Sequence, residues 1–269
     1  MEIDRHIAAL ELEAQLFAGA ARRTDLDAPV SSCPGWDMRD LVRHLAEIHL
    51  WAAAQVANRA AKMWVDDLSE LSACWPDLAV FWPSDAKLID WYLETNVNLV
   101  RELTSAPTDL ECRTFLSAPS PLAMWARRQA HETAVHRFDA EHAGKTQTSF
   151  DPEFAADGID ELLGAFAPRG SRFSIDSPGT MAVRTNDTDT RWHVTMAPNG
   201  ITTTGGGHPA DVTLIGPASD LYLALWNRGD DSTIEVVGNR DVLDTWHNGH
   251  RVQARARLVD RLEGELERA

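Results

Sequence analysis

The sequence predicts a two-domain α+β protein, in which a four-helix bundle precedes a small α+β domain with a mostly antiparallel sheet. Three observations support this fold class. A length of 269 residues suits two domains of ordinary size. Over roughly the first 145 residues, apolar side chains recur at helical spacing. Beyond Gly144, short alternating segments are separated by turn signals. We therefore expect domains over residues 1–146 and 147–250, followed by a charged helical tail over residues 251–269.

The four bundle helices have recognisable starts and ends. The first helix shows apolar residues three and four positions apart, namely Ile3, Ile7, Leu10, Ala14 and Phe17. Asp37 can cap a second helix over residues 38–60, and a third helix spans about 85–104. Pro121 suits the first turn of a fourth helix, and Gly144 suits its end. Four helices with connections of varied length predict an up-and-down bundle.

The C-terminal part mixes helices with short strands. A helix is expected near residues 153–166. The strand-like segments that follow are RFSID, MAVRT, RWHVTM, ITTT, DVTLIG and, further on, TIEVVG. Two more helices are expected over the segments SDLYLALWNR and DVLDTWHN. This combination predicts an α+β domain.

Charge and cysteine content exclude several classes of protein. The formal net charge of −16 gives no basic footprint for nucleic acid or an anionic membrane. No apolar run approaches the ~20 residues of a membrane span, and the acidic start lacks the pattern of a signal peptide. Cys33, Cys74 and Cys112 form neither a disulfide framework nor a CxxC site. We therefore expect a protein of the reducing cytoplasm, without nucleic-acid or membrane partners.

The segment HETAVH over residues 131–136 is the densest cluster of metal-binding residue types. Its histidines are five positions apart and diverge by ~140° around a helix, so it is not the HExxH zinc-protease motif. Glu132 and His136, four apart, share one helix face. With His44 from another helix they would give three ligands and leave one coordination position open. The spacing also fits a surface Glu132–His136 pair with His44 as a core histidine, and this alternative stays open.

For four other candidate residues, a structural role is favoured over a chemical one. His131 is expected on the surface or behind the ligand residues. For Cys33 a buried, inert thiol is favoured over a nucleophile. For Arg127 and Arg128 a solvated helix face is favoured over contact with an anionic ligand. The sequence offers no well-placed cysteine beside the predicted metal, so a reacting thiol would come from outside the chain.

Three runs of the sequence together resemble the mycothiol-dependent maleylpyruvate isomerase family. They are CPGWDMRDLVRHLAEIHLWA, HETAVHRFDAEHAG and PADVTLIGPASDLYLALWNRGDD. The N-terminal part is similar to the DinB-like metal-binding four-helix bundle of that family, and the C-terminal part to its small α+β domain. The resemblance covers roughly residues 5–245, with the runs in the family's order.

The resemblance implies a set of functional residues. Members of the family bind one divalent metal ion, usually zinc, through a His-Glu-His set, which here is His44, Glu132 and His136. The first lies in a GWxxxxLxxH pattern and the others in an ExxxHxxD pattern that ends at Asp139. The family also uses an arginine of the C-terminal domain for an acidic substrate, and Arg228 occupies the matching position.

The resemblance also implies a chemistry. Zinc favours a thiolate over a thiol, and the family's thiol cosubstrate is mycothiol, the low-molecular-weight thiol of actinobacteria. Addition of the thiolate to a conjugated cis double bond, rotation and elimination would give cis-trans isomerisation, whereas keeping the adduct would give S-transfer. Two alternatives stay open: a metal-dependent hydrolase that uses zinc-bound water, and a non-catalytic small-molecule binding protein. The sequence leaves the substrate, the oligomeric state and the choice among zinc, iron, cobalt, nickel and manganese undetermined.

Overall fold

The computed structural model describes residues 1–61, 83–169, 175 and 177–249. Within these ranges the chain divides into two compact units, residues 2–147 and residues 148–249. The first unit is helical, and the second combines helices with a sheet. The predicted fold class is confirmed.

In its described residues, 2–61 and 83–147, the first unit contains four long helices. Their bounds are α1 Ile3–Arg23, α2 Met38–Ala57, α3 Asp85–Ser105 and α4 Pro121–Ala143. The expected apolar face of α1 is buried from Ile7 to Phe17, and Leu41, Leu45 and Leu88 of the next two helices are fully buried. Helix α2 ends at Ala57, three residues before the predicted end.

Local sequence signals set the helix ends. The Asp37 carboxylate accepts a hydrogen bond from the Asp40 amide at 2.8 Å, and the Asp40 carboxylate accepts one from the Asp37 amide at 3.3 Å. This reciprocal pair satisfies two amides that the first turn of α2 leaves without helical partners. Helix α4 starts with Pro121 behind a Ser120 cap and ends at Gly144, as expected.

Helix α4 is buried on nearly all sides, because it packs against α1, α2 and α3. Its buried polar side chains are Arg128, Gln129, His131, Thr133, His136, Arg137, Asp139 and Glu141. Buried polar groups need partners, and several find them in the bundle. The Arg137 guanidinium donates to Glu13 Oε2 at 2.7 Å and to Glu141 Oε2 at 2.8 Å. These polar residues of α4 therefore lie inside the bundle and not on its surface.

The second unit begins with helix α5, Pro152–Glu161, which continues as a π-helical turn over Leu162–Phe166 and a 3-10 turn over Ala167–Arg169. The strands are β1 Gly179–Thr185, β2 Arg191–Ala197, β3 Gly200–Gly205, β4 Val212–Gly216 and β5 Glu235–Gly238. They form one sheet in the order β3-β2-β1-β4-β5. Only the β1–β4 pair is parallel among these strands. Helices α6, Ala218–Leu225, and α7, Arg240–Gly249, also belong to this unit.

Some sequence predictions fall on residues that the structure does not describe, and two others concern the cysteines and membrane spans. The tail over 251–269, Cys74 and nearly all of the expected strand over 172–176 lie outside the described residues. Cys33 and Cys112 carry free thiols. Among the helices of the described ranges, none combines the length and the apolar character that crossing a membrane requires.

Candidate metal centre

Helices α2 and α4 bring together the three residues that the sequence singles out. His44 lies in the second turn of α2, and Glu132 and His136 lie one turn apart in the middle of α4. One ligand atom from each of these side chains lies within 4.8 Å of the other two. The His44 and His136 rings meet edge to face, with centroids 5.1 Å apart. The alternative of a separate surface pair and a core histidine does not describe this arrangement.

The separations of the donor atoms fit a bound cation. The Nε2 atoms of His44 and His136 lie 3.6 and 3.4 Å from the same carboxylate oxygen, Glu132 Oε1. These separations exceed the usual N–H···O hydrogen-bond range. Two ligands at zinc-bonding distance and a tetrahedral angle lie about 3.4 Å apart. Two imidazole nitrogens and one carboxylate oxygen are also a donor set that zinc accepts. The residues present therefore fit a divalent ion.

Arg128 holds the second oxygen of the Glu132 carboxylate. Its NH2 atom donates to Glu132 Oε2 at 3.1 Å, from one helical turn earlier in α4. The Arg128 side chain is only 3% exposed, so the expectation of a solvated face is wrong for this residue. The ion pair fixes the carboxylate rotation and leaves Oε1 directed at the histidines. The four-residue spacing of Arg128 and Glu132 is the sequence pattern that could have predicted this ion pair.

Asp139 holds the other side of the His136 ring. Its Oδ2 atom lies 2.8 Å from His136 Nδ1, and its side chain is fully buried. In the neutral ring with its proton on Nδ1, that nitrogen donates to Asp139 and the Nε2 lone pair is available to a metal ion. This carboxylate–histidine arrangement is typical of metal-ligating histidines, whose tautomer and orientation it fixes.

Burial and nearby charges shift the pKa values of the three residues in different directions. Burial raises the pKa of Glu132, but its polar contacts with His136 and His44 outweigh burial, so the pKa lies well below its ordinary value. Burial lowers the pKa of His136, but contacts with Asp139, Cys33 and Glu132 outweigh it and raise that pKa well above the ordinary value. Burial lowers the pKa of His44. Without a metal ion, these directions favour an ionised Glu132 beside a protonated His136.

The loop before α2 adds two residues to the centre. The Trp36 ring lies 4.8 Å from the His44 ring, centroid to centroid. Cys33 is buried, and its Sγ atom lies 3.5 Å from Asp139 Oδ2. Cys33 therefore contacts the partner of a candidate ligand, and its burial matches the expectation of a buried thiol. No local sequence pattern signals this contact, because it joins residues 106 positions apart.

Three further residues have contacts of their own. His131 is fully buried, not on the surface, and its ring faces His6 of α1. His49 Nε2 lies 2.9 Å from Thr133 Oγ1. Arg228 belongs to the second unit, where its NH1 atom donates to the Trp226 carbonyl at 2.9 Å.

The fold and the site define a class of protein: a helical bundle with a candidate His-Glu-His metal centre, followed in the chain by an α+β unit. Residues 8–141 match the mycothiol maleylpyruvate isomerase N-terminal domain, and residues 153–245 match the C-terminal domain of the same family. The chain belongs to the mycothiol-dependent maleylpyruvate isomerase family.

Solved structures share this fold. The crystal structure of the mycothiol-dependent maleylpyruvate isomerase matches with a TM-score of 0.59 at 12% identity, over 88% of this chain and 93% of that chain. An alanine mutant of that isomerase matches with a TM-score of 0.58 at 13% identity, over the same shares. At these identities the likeness shows the fold alone. No curated protein sequence matches the chain.

Proposed function

We propose that the protein is a metal-dependent enzyme that activates an external low-molecular-weight thiol, mycothiol. The thiol would serve cis-trans isomerisation of, or S-transfer to, an electrophilic small molecule that carries a carboxylate. The observation that carries this proposal is the spacing of His44 Nε2 and His136 Nε2 around Glu132 Oε1, at 3.6 and 3.4 Å. Family membership supports the thiol.

His44, Glu132 and His136 would hold the metal ion. A divalent ion such as zinc, when bound, stabilises a thiolate over a thiol near neutral pH. The side chains of His44 and Glu132 are 20% and 28% exposed, so this side of the cluster is open to an incoming ligand. Three protein ligands leave a fourth position for that ligand, as in catalytic zinc sites.

The neighbouring residues would keep the ligand atoms ready. Arg128 neutralises Glu132 and restricts its rotation from the buried side. Asp139 accepts the Nδ1 proton of His136, which leaves Nε2 as the donor atom. Trp36 packs against the His44 ring and restricts its orientation.

An external thiol fits the site better than the cysteine of the chain. Cys33 is 4% exposed, and its Sγ atom is directed at the buried Asp139 carboxylate. A buried thiol in this position cannot meet an incoming electrophile without opening of the loop. We therefore assign the nucleophilic sulfur to a cosubstrate.

Arg228 is our proposed residue for the substrate carboxylate. A guanidinium presents its N–H groups in a planar fork that can bind a carboxylate with two hydrogen bonds. Its family-matching position in the LWNRG segment supports this role.

Elemental analysis tests the metal first. The purified protein is compared with a His44→Ala/Glu132→Ala double variant, with both confirmed folded by circular dichroism. About one metal ion per wild-type chain, lost in the double variant, supports the centre. No metal in either protein, even after incubation with excess zinc, would overturn the proposal. Turnover of electrophiles that is equally fast without added thiol would instead indicate metal-bound water as the nucleophile.

A further inference from the structure

We propose that Cys33 is a positioning residue for the metal centre: its thiol holds the Asp139 carboxylate that orients His136. This inference rests on the proposed role of His136 as a metal ligand. It assigns to Cys33 neither nucleophilic attack nor direct metal binding.

One carboxylate oxygen joins the two side chains. Asp139 Oδ2 lies 2.8 Å from His136 Nδ1 and 3.5 Å from Cys33 Sγ. The longer second distance suits sulfur, a larger atom than nitrogen or oxygen. The S–H group donates to Oδ2, and the ring N–H donates to the same atom from another direction. With no exposed surface on the Asp139 side chain, water cannot simply replace a lost donor.

The backbone of the loop fixes the position of Cys33. Its amide donates to the Val30 carbonyl at 2.9 Å, and its carbonyl accepts from the Trp36 amide at 3.0 Å. The Val30 amide in turn donates to the Trp36 carbonyl at 2.9 Å. The thiol therefore reaches Asp139 from a segment whose own hydrogen bonds are made. The same loop supplies Trp36 against His44, so one short segment restrains both imidazole ligands.

Two other roles for Cys33 are less consistent with the geometry. Cys33, His136 and Asp139 each offer one ligand atom within 4.8 Å of the others, a spacing that could in principle hold a second cation. The 2.8 Å contact between His136 and Asp139 is a hydrogen bond, too short for two ligands of one zinc ion at about 3.4 Å. A merely space-filling Cys33 would have no polar contact with the partner of a ligand residue.

Zinc affinity tests the inference through matched variants. Cys33→Ala removes the donor, Cys33→Ser keeps a donor, and Cys112→Ser removes a free thiol that takes no part in the centre. Affinity is measured by competition with a chromophoric chelator. Cys33→Ala should bind zinc about tenfold more weakly, at the lower end of the effects seen for groups around metal ligands. Cys33→Ser should recover most of that loss, and Cys112→Ser should match the wild type.

The visible spectrum of the cobalt-substituted protein separates positioning from ligation. We expect no sulfur-to-cobalt charge-transfer band in the wild type, and a changed ligand-field spectrum in Cys33→Ala. A sulfur band that disappears in Cys33→Ser would make Cys33 a ligand and overturn the inference. Equal zinc affinity and identical spectra for wild type and Cys33→Ala would overturn it as well.

A measurement on the metal-free protein keeps the inference apart from the proposed function. Nitrogen-15 NMR of the His136 ring reports whether Nδ1 carries the proton and how slowly that proton exchanges. We expect a slowly exchanging Nδ1 proton in wild type and Cys33→Ser, and faster exchange in Cys33→Ala. Unchanged exchange in a folded Cys33→Ala would refute the positioning role. Failure of the wild type to bind any metal would instead refute the proposed function. If Cys33→Ala does not fold, equal zinc affinity of Cys33→Val and wild type would overturn the inference.

Discussion

At the scale of single residues, the two oxygens of the Glu132 carboxylate have different partners. Oε2 accepts a hydrogen bond from the buried guanidinium of Arg128, whereas Oε1 faces the two imidazoles. A carboxylate held on one side binds a metal ion with less loss of rotational freedom than a mobile one. Arg128 is therefore expected to support the candidate metal centre without supplying a ligand.

Replacement of Arg128 tests this role. Arg128→Gln should weaken zinc binding by about 10- to 100-fold, because the Glu132 carboxylate loses the restraint on Oε2 that keeps Oε1 directed at the histidines. Chelator competition measures the affinity. Arg127→Gln, the adjacent position on the same helix, is the matched control and should leave the affinity unchanged. Equal affinities for the Arg128 variant and the wild type would contradict the assignment.

His49 carries the clearest pH dependence of stability outside the centre. Burial lowers the pKa of its imidazole to about 3, from an ordinary value of 6.5. The unfolded chain therefore binds a proton at a pH where the folded chain does not. The resulting stability is fully present above pH 6.5 and is lost as the pH falls from 6.5 toward about 3.

A glutamine at position 49 should remove this dependence. The free energy of unfolding of the wild type, relative to that of His49→Gln, should fall by about 2 kcal/mol between about pH 7 and pH 5. Urea unfolding at the two pH values measures the change, and the comparison cancels the groups that both proteins share. If the difference in unfolding free energy between the two proteins is the same at both pH values, His49 is protonated in the folded protein as in the unfolded chain.

At the scale of elements, helix ends were predictable and the environment of α4 was not. Asp37, Pro121 and Gly144 act through neighbours within one helical turn, so the sequence alone locates them. The Glu132–His136 spacing likewise depends only on helix geometry. The contact of Cys33 with Asp139 depends instead on how the loop packs on α4. Burial of α4 on nearly all sides also follows from packing. The sequence does not predict this burial, because α4 contains many polar residues.

The loop between α1 and α2 contains one backbone conformation that favours glycine. Gly35 has a φ of +86°, and an added Cβ would meet no atom within 4 Å. The cost of Gly35→Ala is therefore conformational, about 1–2 kcal/mol of unfolding free energy. Because this loop carries Cys33 and Trp36, zinc affinity should fall together with stability.

A second glycine gives the control for this substitution. Gly164 also has open space around its Cβ position, but its φ lies outside the left-handed region. Gly164→Ala should change the unfolding free energy by no more than about 1 kcal/mol, and in the stabilising direction. Chemical unfolding of both variants measures the effect. Equal stabilities for the two alanine variants would show that the Gly35 conformation carries no special cost.

At the scale of the whole molecule, the candidate donors all belong to the helical unit, residues 2–147. A metal ion that binds only the folded state should stabilise that unit by mass action. At a free zinc concentration of about 100 times the dissociation constant, the gain is about 2.7 kcal/mol.

Metal removal tests this gain. The chelator-treated protein should unfold at lower urea concentration than the zinc-loaded protein, as followed by the helical circular-dichroism signal. The His44→Ala/Glu132→Ala double variant should unfold identically with and without zinc. If the wild type also unfolds at the same urea concentration with and without zinc, zinc does not bind the folded bundle selectively.

The order of the sheet has a consequence for the time course of folding. Strand β1 pairs with β2 across a short turn, whereas its parallel partner β4 follows β2 and β3 in the chain. Thr180 and Asp211, which join the start of β1 to the residue before β4 by hydrogen bonds, are 31 positions apart. Closing that loop precedes any gain from the parallel pair. We therefore expect the pairing of β4 with β1, after the three-stranded meander has formed, to limit the rate at which the second unit refolds.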